Sequence, residues 1–292
     1  MDAAALTRSL THIQANLDGD LSLGAVAAVA GCSSSYFARR FSAAMAETPK
    51  QYISRLRLER AAVRLVLLDD GILQVALDCG FTCHETFSRA FRRRFGVAPR
   101  AFRRKGRLPP GARHELPQRV AAASPVSLSS TVVRTLQPMS LAYIRHTGPY
   151  ENVPIGLWDT LIDWARLHGI PSPHVLLGIA HDAPGITRPE QLRFDAAIRV
   201  PGEFRSGRRV GHQRFAGGQF AFTTSVGPFT ALPAAYKEVF RRVRSDRSLA
   251  CLGVPCVEFY RVNRVVADLA IVNTEIAVPV RQRRERRARD LG

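Results

Sequence analysis

The sequence predicts a multidomain protein. An all-α domain with a double helix-turn-helix precedes an α+β domain made of a duplicated β-helix-β-β unit. The first supporting observation is a pattern written twice, 50 residues apart, and the second is Gly148-Pro149-Tyr150, which returns 79 residues later as Gly227-Pro228-Phe229. A chain of 292 residues is long enough for both domains. The first copy of the pattern written twice contains Phe37, Arg39, Phe41, Pro49 and Tyr52. The second copy has Phe87, Arg89, Phe91, Pro99 and Phe102 at the same spacing.

Apolar residues at helical spacing predict a series of helices in the N-terminal domain. Ser22, Ser33 and Thr82 are predicted N-caps, because their hydroxyls can accept hydrogen bonds from free amides of a first helical turn. Gly31 and Gly80 supply the turns inside the two motifs, where a positive φ favours glycine. The helices are predicted at residues 3–16, 23–30, 34–45, 50–68, 72–79, 83–95 and 99–102.

The second helix of each motif has one inner and one outer face. Phe37 and Phe41 are four residues apart and share the inner face, as Phe87 and Phe91 do in the second copy. Polar residues between them must point outward. A polar outer face on one helix is often plain solvated surface, but two such faces at a repeat spacing favour a functional role.

The segment from Ile72 to Arg103 has the pattern I-x3-A-x3-G-F-x5-F-x-R-x-F-x3-F-G-V-x-P-x2-F-R. This pattern resembles the DNA-binding domain of the AraC/XylS family of transcription regulators, and residues 82–86 look most like its MarA/Rob branch. The resemblance covers about residues 5–105 and implies that outer-face residues contact bases or nearby phosphates. Ala38 and Glu85 depart from that branch, which often has Gln at the first position and Gln or Ser at the second. The implied DNA-binding residues are Ser35, Ala38, Arg39, His84, Glu85, Ser88, Arg89 and Arg92.

The net charge of +18 favours a polyanionic partner. Residues 82–107 contain nine Lys or Arg residues and a single acid, Glu85. Clustered arginines beside a helix-turn-helix pattern are typical of phosphate binding, although a solvated basic face in an arginine-rich chain is the alternative. Double-stranded DNA is therefore the expected partner, and RNA polymerase is a further partner implied by the resemblance.

The remaining chain predicts a linker and a second domain. The first domain is placed at residues 1–107, and the Pro- and Ala-rich residues 108–125 predict a linker that lets the domains move independently. Residues 126–280 form the second domain, and residues 281–292 a basic tail. Alternating apolar runs predict strands at 131–136, 141–146, 175–180, 192–200, 219–225, 256–262 and 274–280, with helices at 151–167 and 230–244. We expect one antiparallel sheet with both helices on one face and a groove on the other.

Three motifs of this half are similar to the gyrase-inhibitor-like small-molecule-binding domain of Rob-type and BmrR-type regulators. They are the Gly-Pro-aromatic step before each helix, Pro-Cys-Val-Glu-Phe-Tyr at 255–260, and Ile-Ala-Val-Pro-Val at 276–280. Members of the multidrug-sensing type are known for an acidic residue in an aromatic cavity that binds hydrophobic cations. The resemblance covers about residues 126–280, and it implies a small-molecule effector.

Glu258 is the candidate for that acid. Glu258 and Tyr260 alternate with Val257 and Phe259 along one strand, so they face the groove if Val257 and Phe259 contact the helices. An acid among aromatic rings attracts a cation through its charge and through the π faces. An exposed strand glutamate without a role is the alternative, as is core packing for the tryptophans. The further candidate effector residues are Tyr143, Trp158, Phe194 and Glu275, with Asp195 as another acid.

These patterns predict a sequence-specific transcription regulator, by resemblance an activator, whose second domain binds a small effector such as a hydrophobic cation. Two alternatives stay open: a second domain that hydrolyses small electrophiles with Glu258 as general base, and a DNA binder that ignores ligands. We expect no enzyme activity, because no Ser-His-Asp or Cys-His arrangement is evident. We also expect no cofactor and no metal, because the five cysteines form no CxxC pair and the histidines no HExxH, although Cys79, Cys83 and His84 are close in sequence. No apolar run approaches the roughly 18 residues of a membrane span, so we expect a cytoplasmic protein without a membrane partner.

Overall fold

The computed structural model describes residues 1–105, 127–204, 206–261 and 272–283. The N-terminal part is helical, and its helices lie close to their predicted positions. They are α1 (Ala3–Ala15), α2 (Leu23–Ala30), α3 (Ser34–Met45), α4 (Pro49–Leu67), α5 (Ile72–Asp78), α6 (His84–Phe95) and α7 (Pro99–Lys105). The predicted linker, residues 108–125, lies entirely outside the described residues.

Two of the three predicted N-caps are confirmed. Ser22 accepts a hydrogen bond from the amide of Ala25, and Ser33 accepts one from the amide of Tyr36. The prediction that Thr82 caps α6 is wrong, because the helix begins one residue later and its N-cap is Cys83, which makes no side-chain cap hydrogen bond. Instead, the Thr86 hydroxyl donates to the Cys83 carbonyl oxygen at 3.0 Å.

α4 joins the two helix-turn-helix motifs by contributing side chains to both of their cores. Tyr52 and Leu56, in its first half, lie in the core that contains Phe37 and Phe41. Leu58, Ala61 and Leu65, further along the same helix, lie in the core that contains Phe87 and Phe91. One continuous helix therefore fixes the placement of α3 relative to α6.

The two turn glycines differ in what surrounds them. Gly31 and Gly80 both have left-handed backbones, with φ of 70° and 81°. A Cβ at Gly31 would meet nothing within 4 Å, whereas a Cβ at Gly80 would lie 2.4 Å from the Leu17 carbonyl oxygen and 2.6 Å from the Arg57 Nε. Only Gly80 is therefore required both for its backbone angle and for a close approach.

We expect Gly80→Ala to destabilise the helical domain more than Gly31→Ala does. Left-handed backbone costs alanine about 1 to 2 kcal/mol at either position. At Gly80, moving the Leu17 carbonyl and Arg57 adds about 1 to 3 kcal/mol. Urea unfolding of both variants tests this comparison, and equal losses would show that the close approach at Gly80 carries no cost.

The C-terminal part is an α+β domain with ten described strands and two helices longer than one turn. The predicted strands are all present, although residues 262–271 lie outside the described part of the chain. Three of the observed strands, β1, β6 and β8, were not predicted from the sequence. The strands are β1 (Ser127–Leu128), β2 (Val132–Leu136), β3 (Met139–Thr147), β4 (Leu176–Ala180), β5 (Arg193–Val200), β6 (Gly211–Phe215), β7 (Gly218–Gly227), β8 (Leu249–Cys251), β9 (Cys256–Tyr260) and β10 (Val272–Gln282), and the helices are α8 (Gly156–Leu167) and α9 (Leu232–Ser245).

The strands form one antiparallel sheet that confirms the predicted duplication. Its order is β1-β7-β10-β9-β4-β5-β3-β6, with β2 on β7 and β8 on β10. The unit β3-α8-β4-β5 is matched by β7-α9-β9-β10, and the two units meet where β4 pairs with β9. α8 and α9 both contribute to a core on one face of the sheet, through residues such as Leu161 and Val239.

The opposite face is not the open groove that we predicted. Its strands carry their own buried cluster, which includes Tyr143, Phe220, Phe222 and Val257. α1 of the helical domain also approaches this face, where the Thr11 and Tyr143 hydroxyls lie 2.6 Å apart. Both faces of the sheet are therefore covered along part of their length.

The helical domain contacts the sheet domain in this structure, whereas independent movement of the two domains stays a prediction. From α1, Gln14 accepts a hydrogen bond from Arg145 at 2.6 Å. α4 contacts the loop before β9 so closely that a Cβ at Gly253 would lie 2.4 Å from Val63 Cγ1. Polar and apolar contacts together hold α1 and α4 against the second domain.

The predicted basic tail begins too early. Residues 281 and 282 belong to β10. Arg281 donates to Asp70 at 2.7 Å, and the Arg283 Nε donates to the Leu249 carbonyl oxygen at 3.0 Å. Residues 284–292 lie outside the part of the chain that is described.

Candidate functional site

The outer faces of α3 and α6 are not covered by any of the described residues of the second domain. Phe37, Phe41, Phe87 and Phe91 are fully buried, as their spacing predicted. The polar positions between them point outward, which is the placement expected of residues that contact a ligand outside the fold. Ser35, Arg39, His84, Glu85, Arg89 and Arg92 are exposed, and Ala38 and Ser88 are half-buried.

The charged residues of α6 lie on two faces of the helix, one exposed and one in contact with α4. On the outer face, Glu85 lies in the first turn, where its own backbone amide and the Cys83 side chain hold the pKa of its carboxyl below the ordinary value. Arg94 turns inward and donates to Glu59 of α4 at 2.8 Å. The exposed arginines of α6, Arg89, Arg92 and Arg93, form no ion pair with the described residues. They are available for phosphates or base edges.

The second candidate site centres on Glu258 in β9, whose side chain is buried. Tyr236 of α9 donates to Glu258 Oε1 at 2.8 Å, and the Tyr260 hydroxyl donates to Oε2. Burial raises the pKa of Glu258, while the hydrogen bonds from Tyr260 and Tyr236 oppose that shift. The result is a carboxyl group held by two phenols inside an apolar core.

Aromatic rings surround this carboxyl group on the helix-covered face. Trp158 of α8 meets the Tyr260 ring edge-on with centroids 5.2 Å apart, and its indole donates to the Leu177 carbonyl oxygen at 2.9 Å. Phe194 lies 6.1 Å from Trp158. Gly178, paired with Glu258 across β4 and β9, leaves the space that the Phe194 ring and the Tyr260 hydroxyl fill, since a Cβ there would lie 2.5 Å from Phe194 Cζ and from the Tyr260 hydroxyl oxygen.

The structure therefore brings together four of the six candidate effector residues and separates two. Glu258, Tyr260, Trp158 and Phe194 share the face that is covered by the helices. Tyr143 and Glu275 lie on the opposite face, so their assignment to the same site is wrong. Strand register gives the reason, because Ile276 pairs with Glu258 and its neighbour Glu275 must point the other way.

The assumption that Val257 and Phe259 contact the helices, which would have placed Glu258 in the groove, is also wrong. Val257 and Phe259 belong to the cluster on the opposite face, and Glu258 and Tyr260 point toward the helices. Sequence reasoning consequently missed Tyr236, because it searched the strands and not α9 for partners. The available signal was the helical spacing of Tyr236 from Val239 and Val243, which places all three toward the sheet.

The other predicted acids have partners of their own on the opposite face. Glu275 forms ion pairs with Arg134 at 2.7 Å and Arg261 at 3.0 Å. Asp195 is fully buried and accepts two hydrogen bonds from Arg145, at 2.6 and 2.7 Å. Burial alone would raise the pKa of Asp195, but Arg145 and His181 outweigh it and hold the pKa below its ordinary value.

Two family models match this chain. Residues 26–105 match a helix-turn-helix domain, and residues 130–281, more than half of the chain, match the GyrI-like small molecule binding domain. The regulatory protein SoxS of Escherichia coli K12 is 36% identical over 96 residues, which are 33% of this chain and 90% of SoxS. The chain belongs to the AraC/XylS family and carries a GyrI-like domain.

Other relatives match about a third of this chain. The Right origin-binding protein of E. coli K12 is 38% identical over 105 residues, so the match covers about a third of each chain, 36% in both cases. A solved transcriptional regulator with an AraC-type DNA-binding domain from Chromobacterium violaceum is 31% identical, covers 36% of this chain and 94% of that one, and superposes with a TM-score of 0.34. In the described ranges, no helix combines the length and apolar character that crossing a bilayer requires.

Proposed function

We propose that this protein is a one-component transcription regulator whose AraC-type domain binds duplex DNA and whose GyrI-like domain binds a small effector. The observation that carries the first half is the pair of equivalent outward faces on α3 and α6, both set by α4. Helices of this kind insert into the major groove at positions about 34 to 36 Å apart along one side of the duplex. A single chain then contacts two successive turns of DNA.

Phosphate contacts and base contacts have different roles in this proposal. The exposed arginines near α6 and α7 supply affinity that falls steeply with salt. Arg39 and Arg89 supply direct base readout, since a guanidinium can donate two hydrogen bonds to guanine. The other predicted contacts, at Ser35, Ala38, His84, Glu85, Ser88 and Arg92, lie on the same outward faces.

Selection of bound sequences from a random duplex library tests this function and yields the target at the same time. We expect enrichment of one motif with two half-sites about ten base pairs apart. The matched control is the double variant Arg39→Ala/Arg89→Ala, which should bind the library without enriching that motif. Failure of the natural chain to prefer any duplex at moderate salt would contradict the proposal.

We expect Arg89→Ala to weaken binding to the selected site by about 1 to 3 kcal/mol, with relaxed preference at the contacted base. A fluorescence titration with the selected site and with a scrambled duplex measures both. Arg166→Ala is the control, because Arg166 is an exposed arginine of α8 in the other domain. Equal losses on the specific and scrambled duplexes would show that Arg89 contacts only phosphate.

For the GyrI-like domain, we propose a small hydrophobic cation as effector. A buried carboxylate within reach of Trp158, Tyr236 and Tyr260 offers one negative charge and several π faces to such a ligand. Because the site is filled by these rings, the cation must displace at least one tyrosine hydroxyl from Glu258. The domain acts in this proposal as a sensor and not as an enzyme.

We further propose that the effector site influences α6 through two contacts with α4. The first contact is apolar: Val254, two residues before β9, packs with the core of the second motif, which contains side chains of α4. A displacement of β9 at Glu258 would therefore move Val254 against α4. The second contact is polar: the Thr187 hydroxyl donates to Glu59 at 3.1 Å, and Glu59 also accepts from Arg94 of α6. An effector that prefers one arrangement of these contacts shifts DNA affinity by its difference in affinity for the two arrangements.

Activation is the direction of control that the family resemblance suggests, with RNA polymerase as the partner. Transcription in a purified system, with the selected site placed upstream of a promoter, tests this part of the proposal. Reduced transcription on addition of the protein would show that it is a repressor and not an activator.

A further inference from the structure

The helices α3 and α6 are built alike except at one outward position. Each has 12 residues, and in each the second and sixth residues lie four positions apart on the outer face. The sixth residue is an exposed arginine in both helices, Arg39 and Arg89. The second residue differs, because α3 has Ser35 where α6 has Glu85. The repeat therefore compares a neutral hydroxyl with a carboxylate at equivalent places.

Glu85 is an isolated acid in a strongly basic stretch of the chain. Its side chain is exposed and forms no ion pair with any residue in the described ranges. The carboxyl is ionised at neutral pH, because its own backbone amide and the Cys83 side chain hold its pKa below the ordinary value of 4.5. Phosphates repel an ionised carboxylate, so a duplex bound to this face must offer Glu85 a hydrogen-bond donor instead.

Two bases present a hydrogen-bond donor in the major groove, cytosine through N4 and adenine through N6. Adenine also presents the acceptor N7 beside N6, which repels the second oxygen of a carboxylate, whereas cytosine itself presents only the donor. A carboxylate therefore prefers cytosine. Residues four apart on a helix have Cβ atoms about 5 to 6 Å apart, and successive base pairs are about 3.4 Å apart. Glu85 and Arg89 consequently meet base pairs that are one or two steps from each other.

We propose, on the basis of the proposed function, that Glu85 selects a cytosine in the half of the DNA target that α6 contacts. This cytosine lies one or two base pairs from the guanine that Arg89 contacts. The half contacted by α3 has no such requirement, because the Ser35 hydroxyl can either donate or accept and distinguishes bases weakly. The two halves of the target thus share a guanine contacted by an arginine and differ in the cytosine.

Selection of bound duplexes from a random library, with the full chain and its variants at position 85, tests this proposal. In the natural chain, cytosine should be enriched at one position of a single half-site, at least about fivefold over the other bases. Glu85→Ser should remove this preference and keep the guanine. Glu85→Gln should shift the preference from cytosine to adenine, because an amide can donate to N7 and accept from N6 of adenine at the same time.

Ser35→Glu is the reciprocal variant, and it should add a cytosine to the half-site that lacks one. Glu151→Ser is the matched control, because Glu151 is an exposed acid of the other domain, and its selected motif should equal that of the natural chain. Both tested positions are exposed, so the variants should fold as the natural chain does. An unchanged cytosine preference in Glu85→Ser would overturn the proposal, and so would a Ser35→Glu motif without the second cytosine. Enrichment of no motif by the natural chain is a distinguishable result, since it contradicts the proposed function and this inference together.

Discussion

Asp195→Asn should destabilise the protein by about 3 to 5 kcal/mol, because it leaves Arg145 in the interior without its counter-charge. The Asp195 carboxylate contacts Arg145, accepts from Gln213 at 2.9 Å, and has Oδ2 2.6 Å from His181 Nε2. Asparagine keeps the shape of the side chain but removes the charge that balances the guanidinium. Equilibrium unfolding in urea measures the loss.

Glu238→Gln is the control for this change. Glu238 also pairs with two arginines, Arg241 and Arg242, but it lies on the surface of α9, where water screens the interaction. We expect little change in its unfolding midpoint. Similar losses of stability in the two variants would mean that burial does not explain the contribution of the Asp195–Arg145 ion pair.

The same cluster gives the stability of the protein a pH dependence of known sign. Burial lowers the pKa of His181 below its ordinary value of 6.5, with Asp195 opposing that shift. The folded state therefore binds a proton at His181 less readily than the unfolded chain does. This contribution to stability is fully present above pH 6.5 and is lost as the pH falls through the lowered pKa. In His181→Gln, we expect a flatter dependence of the urea midpoint on pH in that range.

Glu258→Gln should reduce affinity for a hydrophobic cation about tenfold to a hundredfold, because the neutral amide cannot balance the ligand's charge. Benzyltrimethylammonium is a suitable probe, and its uncharged carbon analogue shows how much affinity comes from the apolar part alone. The analogue should bind the natural chain and the variant equally. DNA binding by the chain without ligand should change little, since glutamine keeps the shape of the side chain and the exposed residues of α3 and α6 are unaltered.

Glu275→Gln supplies the matched control, because it makes the same chemical change on the neighbouring strand but on the opposite face of the sheet. Its cation affinity should equal that of the natural chain. If Glu275→Gln weakens the probe and Glu258→Gln does not, the effector site lies on the other face. Consumption of a bound ester, followed in the same samples, would instead favour the hydrolase alternative.

The affinity for the cation should also rise with pH. Burial raises the pKa of Glu258 above its ordinary value of 4.5, so the folded protein holds that proton more tightly than the unfolded chain. A cation prefers the ionised carboxylate, and its affinity therefore increases as the pH passes upward through the raised pKa and then levels off. Glu258→Gln should show a flat profile, and an unchanged slope in this variant would assign the titration to another group.

Local patterns explain why the helical domain was predicted so closely. Capping serines, a turn glycine and phenylalanines four residues apart each act within one helix or one turn, so a single sequence contains them. The Thr82 cap failed because Thr82 and Cys83 are adjacent and either can precede α6. Exposure of Arg39 and Arg89 followed directly from the burial of their phenylalanine neighbours.

Strand alternation explains both the success and the failure at Glu258. Alternation correctly placed Glu258 and Tyr260 on one face and Val257 and Phe259 on the other. It could not tell which face the helices cover, because both faces of β9 are buried and both carry aromatic residues. The contact of Arg145 with Gln14 joins residues 131 positions apart, and no local pattern predicts such a pair.

α4 has a consequence for the geometry of any DNA target. Because one rigid helix belongs to both cores, the two reading helices cannot rotate about each other to follow a changed operator. A target with five extra base pairs between its halves would turn the distal half by about half a helical turn, to the far side of the duplex. If the proposed function holds, operators for this chain conserve their helical phase more strictly than operators of regulators whose binding units are tethered by flexible segments.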